Sequence, residues 1–290
     1  ELGVNLHLSK EILPEGFQKM ETTFCYPAEI AHGAMQDLVN QNFDYYFIPH
    51  FKDMPSFEDD VHATLCPIMQ GLPYYLRTAF NLEENKILRP VVSFKDGYES
   101  EIEEFYQMGE KLGFSKEEVQ KAFRKGISQL EAYFKKTQQI GREILEKQDP
   151  DKTYILLLGR PYNAFTKDAN LGIPKKFQSK GYTIVPFDFM PMEDEITPNM
   201  YWYYGQQVLK AATVAKKNPN FFVCYISNFS CAPDSFILHF IRWIQQSKPF
   251  LVLELDSHSA DAGVDTRIEA FLDIIEGYKK TLSKITDKRY

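Results

Sequence analysis

Four mainly apolar runs in the second half of the chain constrain its fold most. They cover residues 154–158, 182–186, 221–226 and 250–255, and stretches with helical spacing of apolar residues separate them. Strands buried on both faces of a parallel sheet are continuous apolar runs, and parallel neighbours need a long, usually helical crossover. The sequence therefore predicts βαβ units and a parallel sheet, which is an α/β fold.

The first half predicts a smaller number of strands and more helix. Strand-like segments lie at residues 4–8, 45–49 and 90–94, and a helix is expected to begin just after Cys25-Tyr-Pro27 and to continue through Leu38. Residues 98–148 predict two helices interrupted at 113–115, the second with the capping-box pair Ser115 and Glu118. Since the strand-like pattern begins at residue 4, we expect the chain to begin inside an element of a longer protein.

Length and turn residues predict two domains. The chain has 290 residues, and domains of about 150 residues are common. The polar, Pro-containing segment 148–152 is the best boundary in the sequence. We therefore expect two Rossmann-like, parallel-sheet lobes that face a central cleft, with a helical segment between them. The first lobe covers residues 1–148, including the long helices, and the second covers 149–290.

Charge and hydropathy exclude two classes of partner. The formal net charge is -7 and the pI about 5.5, so the field of the protein repels a nucleic-acid backbone. No apolar run approaches the roughly 20 residues that span a bilayer, and no leader of the signal-peptide kind is visible. These features predict a cytoplasmic protein that binds neither nucleic acid nor membrane.

Polar or Pro-containing segments follow each of the four strands of the second half. In open parallel sheets, ligands bind outside the carboxyl ends of the strands, so residues 159–162, 187–191, 227–235 and 256–259 are expected to meet at one edge. Arg160 and Tyr162 follow the first of these strands. They are candidates for orienting an anion or hydrogen-bonding a cofactor, and a structural turn set by Pro161 is the alternative.

Three of the four cysteines have a proline within the next two positions. They are Cys25, Cys66 and Cys231, whereas Cys224 lies inside an apolar run and predicts a small buried side chain. Cys25 and Cys231 also precede predicted helices, where the helix dipole favours a thiolate or an anionic cluster. Cytosolic thiols are usually reduced, so these three predict metal ligands more than disulfides.

Other chemistries find less support in the sequence. A closed zinc site needs four Cys or His ligands, for which only His32 and His62 could complete the set. A cysteine nucleophile would need a base such as His32 or His258 and an oxyanion hole, and no motif indicates one. Neither a GxGxxG nor a GxxxxGK[ST] motif is present, so nucleotide binding by this chain is not indicated.

Five motifs, in order along residues 1–275, resemble those of the 2-hydroxyacyl-CoA dehydratase family. They are Glu-Thr-Thr-Phe-Cys-Tyr-Pro-Ala-Glu-Ile-Ala-His-Gly at 21–33, Cys-Pro at 66–67, Gly-Arg-Pro-Tyr at 159–162, Asn-Phe-Ser-Cys-Ala-Pro-Asp-Ser at 228–235, and Asp-Thr-Arg-Ile-Glu-Ala-Phe at 265–271. The sequence is most similar to the region that follows the ATPase module in acyl-CoA dehydratase activase-related proteins. Relatives include benzoyl-CoA reductase subunits and double-cubane iron-sulfur proteins.

The resemblance implies a 4Fe-4S or larger cuboidal iron-sulfur cluster in the cleft, held by Cys25, Cys66 and Cys231. Arg160, Tyr162 and Asn228 are the predicted cofactor-binding residues. The resemblance also implies low-potential electron transfer or reduction, driven by an ATP-hydrolysing activase that is fused upstream or separate.

An acyl-CoA substrate and a homodimer are compatible with the resemblance. Ala232 stands where the family commonly has glycine, and the chain has fewer cysteines than the double-cubane relatives, which argues against two cubes in one chain. A scaffold or interaction module that has lost its cluster is the alternative function.

Overall fold

The computed structural model describes residues 1–22, 24–56, 62–193, 200–259 and 261–287. The α-helices of these residues are α1 (Pro14–Phe17), α2 (Tyr26–Val39), α3 (Pro67–Ala79), α4 (Ile102–Lys111), α5 (Lys116–Glu146), α6 (Pro161–Ala164), α7 (Lys167–Asn170), α8 (Ile173–Ser179), α9 (Tyr203–Lys217), α10 (Ala232–Gln245) and α11 (Asp261–Asp287). The β-strands are β1 (Tyr46–Phe47), β2 (His50–Asp53), β3 (Ile87–Leu88), β4 (Val91–Ser93), β5 (Tyr154–Leu158), β6 (Thr183–Pro186), β7 (Phe221–Asn228) and β8 (Phe250–Leu255). None of the helices in these ranges is long and apolar enough to cross a membrane.

The chain divides into two compact units. The first contains residues 1–136 and 198–206, and the second contains residues 137–197 and 207–290. The division falls inside α5 and again inside α9. The boundary predicted at 148/149 and the two lobes facing a cleft stay predictions.

The second unit contains a four-stranded parallel sheet in the order β6-β5-β7-β8. Every residue of β5 and β7 is buried, which explains why β5 and residues 221–226 of β7 are continuous apolar runs. The α/β fold is thereby confirmed. β5 and β8 have the predicted bounds, β6 begins one residue late, and β7 extends to Asn228 because Ser227 and Asn228 pair with Glu254 and Leu255.

The first unit contains two short parallel pairs, β1 with β3 and β2 with β4. The strands predicted at 45–49 and 90–94 are confirmed in shortened form. The strand predicted at 4–8 is wrong, because these residues have no strand conformation, and Leu6 and Leu8 are 73% and 71% exposed. An alternating pattern needs a neighbouring strand to pair with, and no strand of the described residues pairs with this segment.

The predicted helices of the first half are confirmed. α2 begins at Tyr26 with Pro27 in its first turn, where the missing N–H costs nothing. Gly113, with φ of 83°, separates α4 from α5. At the start of α5 the capping box forms as predicted: the Ser115 amide donates to Glu118 Oε2 at 2.8 Å, and the Glu118 amide donates to Ser115 Oγ at 3.3 Å.

A segment from late in the sequence completes the first unit. The Thr64 amide donates to the Tyr201 carbonyl at 2.7 Å, and the Tyr203 amide donates to the Thr64 carbonyl at 3.0 Å. Tyr203 packs in a small core with Ala63 and Leu65. Residues 200–206 therefore extend the sheet structure beside β2 although about 150 residues separate them from it in sequence.

Candidate functional site

Gly159 brings the end of β5 onto the end of β7. β5 and β7 pair in register up to Leu158 and Tyr225. Gly159 has φ of 138°, and a Cβ at this position would overlap the carbonyl oxygen of Ile226. Only glycine adopts this conformation without strain, so the close approach allows Arg160 to reach the residues that follow β7.

Arg160 is the centre of a buried polar cluster at the carboxyl ends of β5 and β7. Its Nη2 lies 2.8 Å from Asn228 Oδ1, 2.7 Å from Cys231 Sγ and 2.9 Å from Asp234 Oδ2. Arg160 is 3% exposed and Asp234 is fully buried. The buried guanidinium of Arg160 and the buried carboxylate of Asp234 stabilise each other, because burying either charge without a partner would cost several kcal/mol of folding free energy.

Asp234 is the anchor of this cluster on α10. Besides Arg160, its carboxylate accepts from the Tyr225 hydroxyl at 2.9 Å and from the Ser227 hydroxyl at 2.6 Å. The Asp234 amide lies 3.5 Å from Cys231 Sγ, so the thiol caps the helix that carries the carboxylate. Ser230, with φ of 61°, turns the chain from β7 into this cap.

Tyr162 and Asn163 complete the cluster from α6. Arg160 Nη1 donates to the Tyr162 hydroxyl at 2.9 Å, and the guanidinium carbon lies 5.0 Å from the centre of the Tyr162 ring. Asn163 Nδ2 donates to Asn228 Oδ1 at 3.1 Å. The structure therefore brings Arg160, Tyr162, Asn228 and Cys231 together, whereas their contact with a cofactor stays a prediction.

Electrostatics keep Arg160 charged in this cluster. Burial opposes the charge, but Tyr162, Asp234 and Cys231 outweigh it and raise the pKa of Arg160 well above its ordinary value. Burial, followed by the nearby Asp234, raises the pKa of Tyr225, so its phenol stays neutral and donates. Arg160 Nε is buried without a hydrogen-bond partner in the described chain. A donor left in this state needs an acceptor from a bound molecule or water.

The first unit holds the other two predicted cysteines, each directly before a helix. Cys25 is the N-cap residue of α2 and Cys66 is the N-cap residue of α3. The Leu65 amide donates to the Lys52 carbonyl at 2.9 Å, which fixes Cys66 beside β2. Cys66 is buried and Cys25 is partly exposed.

All three Pro-flanked cysteines thus occupy one structural position. Cys25, Cys66 and Cys231 are N-cap residues of helices of 13 or 14 residues, each with proline at its first or second position. The sequence predicted this for Cys25 and Cys231 and missed it for Cys66. The adjacent Pro67 is the signal that would have found it, because proline is favoured in the first helical turn.

The remaining candidates have structural settings. His32 is buried in α2 with Nδ1 2.8 Å from the Ala28 carbonyl oxygen, and Cys224 is buried in β7, where burial raises the pKa of its thiol. The His62 carbonyl accepts from Gln206, and His258 lies in an exposed turn. The described ranges contain no group of three or more His, Cys, Asp or Glu side chains arranged to hold a metal ion.

Asp234 is the residue that sequence reasoning missed. It was part of the fourth motif but had no predicted role. Two signals point to it: an acid three residues after Cys231 lies in the first turn of the predicted helix, and a buried arginine needs a carboxylate partner.

Comparison with known protein families identifies the chain. The family described as the CoA enzyme activase uncharacterised domain matches residues 1–190. The chain belongs to this family. The resemblance to activase-related proteins is thereby confirmed. No curated protein matches the chain. The part that matches the CoA enzyme activase domain includes Cys25, Cys66, Arg160 and Tyr162, whereas Asn228, Cys231 and Asp234 lie beyond it.

Proposed function

We propose that this member of the CoA enzyme activase domain family is an iron-sulfur protein of the 2-hydroxyacyl-CoA dehydratase and activase-related type. Cys25, Cys66 and Cys231 are the proposed ligands of a 4Fe-4S or larger cuboidal cluster. The observation that carries the proposal is their shared position as N-cap residues of long helices. Arg160, Tyr162 and Asn228 are the proposed residues around the cofactor.

The chemistry of the donor set fits such a cluster. Thiolates are the ordinary ligands of iron-sulfur clusters, and free amides at a helix N-terminus stabilise negative charge on sulfur. Three thiols without a fourth protein ligand also differ from a closed structural zinc site. When bound, a cluster of this kind supplies a one-electron carrier of low potential.

Arg160 is the proposed tuning residue. Its Nη2 donates to Cys231 Sγ at 2.7 Å, and hydrogen bonds to ligand sulfur stabilise negative charge and so raise the reduction potential. Its Nε, which has no hydrogen-bond partner among the described residues, offers a second donor to a bound molecule. Asp234 holds the guanidinium in position and balances its charge.

The source of the electron and its destination are further parts of the proposal. We propose that an ATP-hydrolysing activase module, fused upstream or separate, delivers the electron, and that an acyl-CoA is the substrate class. The activase relationship of the family supports the first part.

Iron and acid-labile sulfide analysis, with an optical spectrum, tests the proposal on protein purified or reconstituted without oxygen. We expect about four irons per chain and loss of iron in each of Cys25→Ala, Cys66→Ala and Cys231→Ala. Cys224→Ala is the matched control and should keep its iron, because Cys224 lies inside β7. Absence of iron from the reconstituted parent chain, or full iron in all three variants, would overturn the proposal, and stoichiometric zinc would replace it with a structural zinc site.

A scaffold without a cluster is the second candidate. The hydrogen bonds around Cys231 favour it, since the thiol already has a donor from Arg160 and a second from the Asp234 amide. In that case Arg160→Met would reduce stability, and neither the parent chain nor any variant would take up iron.

A further inference from the structure

A large apolar cavity lies wholly within the first unit. Its volume is about 540 Å³, and α4, α5, β2 and the segment that leads into α3 form its wall. Aromatic rings such as Phe51 and Phe94 line it, together with flexible methionines such as Met69 and Met108. The cavity is open to solvent, and clefts that bind small ligands typically have volumes of roughly 300–1,000 Å³.

Gly126 is the residue of α5 that leaves the most space at the wall of this cavity, because it has no side chain. The helix lines the cavity at residues 119, 122, 123, 126, 127 and 130, which is one face of a helix by spacing. Glycine in the middle of a helix is unfavourable. Apart from the adjoining part of α5 itself, no described atom lies within 4 Å of the place that a Cβ on Gly126 would take. The glycine therefore keeps space free that a larger side chain would fill.

A charged recess adjoins the apolar cavity. Its volume is about 290 Å³, and the two cavities share Glu1, Leu2 and Ala122. Lys121 and Lys125 line the recess. Lys125 pairs with Glu1 at 2.7 Å, whereas Lys121 has no acceptor partner among the residues that the structure describes. Glu118 also faces the recess, and its carboxylate accepts from Ser115.

We propose that the cavity and the recess form one site for a straight-chain fatty acid, with the hydrocarbon chain in the apolar cavity and the carboxylate on Lys121. The Lys121 ammonium group complements the charge of the fatty-acid carboxylate. Lys125 adds a second positive charge when that carboxylate takes the place of the Glu1 side chain. This site does not depend on the proposed cluster, because none of the three cluster cysteines lines either cavity.

Calorimetric titration of the 290-residue chain with dodecanoate, below its micelle concentration, tests the site. We expect Gly126→Phe to weaken dodecanoate binding at least about tenfold. The ring would take up space in the cavity, and excluding only two methylene groups of the ligand from it costs that much binding free energy. Gly277→Phe is the matched control, because Gly277 lies in α11 with the same free space around it and does not line the cavity. It should bind dodecanoate like the parent chain.

The head group is tested separately. Replacing Lys121 and Lys125 by alanine should weaken the binding of dodecanoate about tenfold, as expected for loss of a charge-assisted hydrogen bond. The binding of dodecan-1-ol, which has no charge, should stay unchanged. If Gly126→Phe does not fold, Gly126→Leu measures the same blockage. No binding of dodecanoate by the parent chain, or equal binding by the Gly126 variants, would overturn the proposal. Cys25→Ala should bind dodecanoate normally, so failure of this site and failure of the cluster proposal are distinguishable.

Discussion

Replacing Asp234 by alanine is the perturbation that most directly probes the buried cluster of the second unit. The substitution removes the acceptor of Arg160, Tyr225 and Ser227, at distances of 2.9, 2.9 and 2.6 Å. Arg160, 3% exposed, would keep its charge without a carboxylate. Breaking a buried pair in this way costs about 3–5 kcal/mol, a large part of the roughly 5–15 kcal/mol that stabilises a domain.

Urea unfolding followed by tryptophan fluorescence measures this cost. The chain has two tryptophans, Trp202 in the first unit and Trp243 in the second, so Trp202→Phe gives a background in which the signal reports α10 alone. Asp261→Ala is the matched control, because its carboxylate pairs with Lys176 at 3.4 Å but is 75% exposed. We expect a change of less than about 1 kcal/mol for this control.

A double variant separates charge from packing. Adding Arg160→Met to Asp234→Ala removes the uncompensated cation, so the pair should cost less than the sum of the two single changes by about 0.5–3 kcal/mol. A loss below about 1 kcal/mol for Asp234→Ala, or strict additivity in the double variant, would refute the reasoning that the cluster depends on a buried ion pair.

Three further changes give distinct expected outcomes. Gly141→Ala in α5 should cost more than about 2 kcal/mol in urea unfolding, because its Cβ would overlap the Phe189 carbonyl oxygen, whereas Gly277→Ala should stabilise by about 0.5–1 kcal/mol. Burial lowers the pKa of His32, so the unfolded state binds a proton first and stability falls as pH drops below about 6.5. His32→Gln should reduce the loss of stability that occurs as the pH falls below about 6.5, and a variant whose urea midpoint falls with pH as steeply as the parent's would contradict the assignment. Ser115→Ala should destabilise by about 0.5–2 kcal/mol, and a thermal melt equal to the parent's would show that the cap contributes nothing.

Local patterns predicted the elements whose cause is local. β5 has its predicted bounds because burial on both faces requires a continuous apolar run. The Ser115 capping box forms because its partners are three residues apart. The helix of Cys25 begins as predicted because Pro27 favours the first helical turn.

Local sequence patterns did not predict the features that depend on residues far apart in the chain. The strand β2 is short and polar, and it is held by Asp53, whose carboxylate accepts from Thr64 at 2.9 Å and from Ser93 at 2.9 Å. The Arg160–Asp234 pair joins residues 74 positions apart, which no local pattern reveals. The strand predicted at 4–8 is wrong because a strand also needs a distant partner, and the segment's own alternating pattern does not specify one.

Residues 200–206 also set the order in which the chain is able to finish folding during synthesis. The core of Ala63, Leu65 and Tyr203 lacks one of its members until the ribosome has made Tyr203, after β5 and β6 have already been translated. Domains usually fold as units, starting from the N-terminus, while the chain emerges. Here the segment beside Cys66 cannot complete its packing until residues 200–206 have been synthesised. A pause or truncation before residue 200 would therefore leave the first unit incomplete, with apolar residues exposed to aggregation and to chaperones.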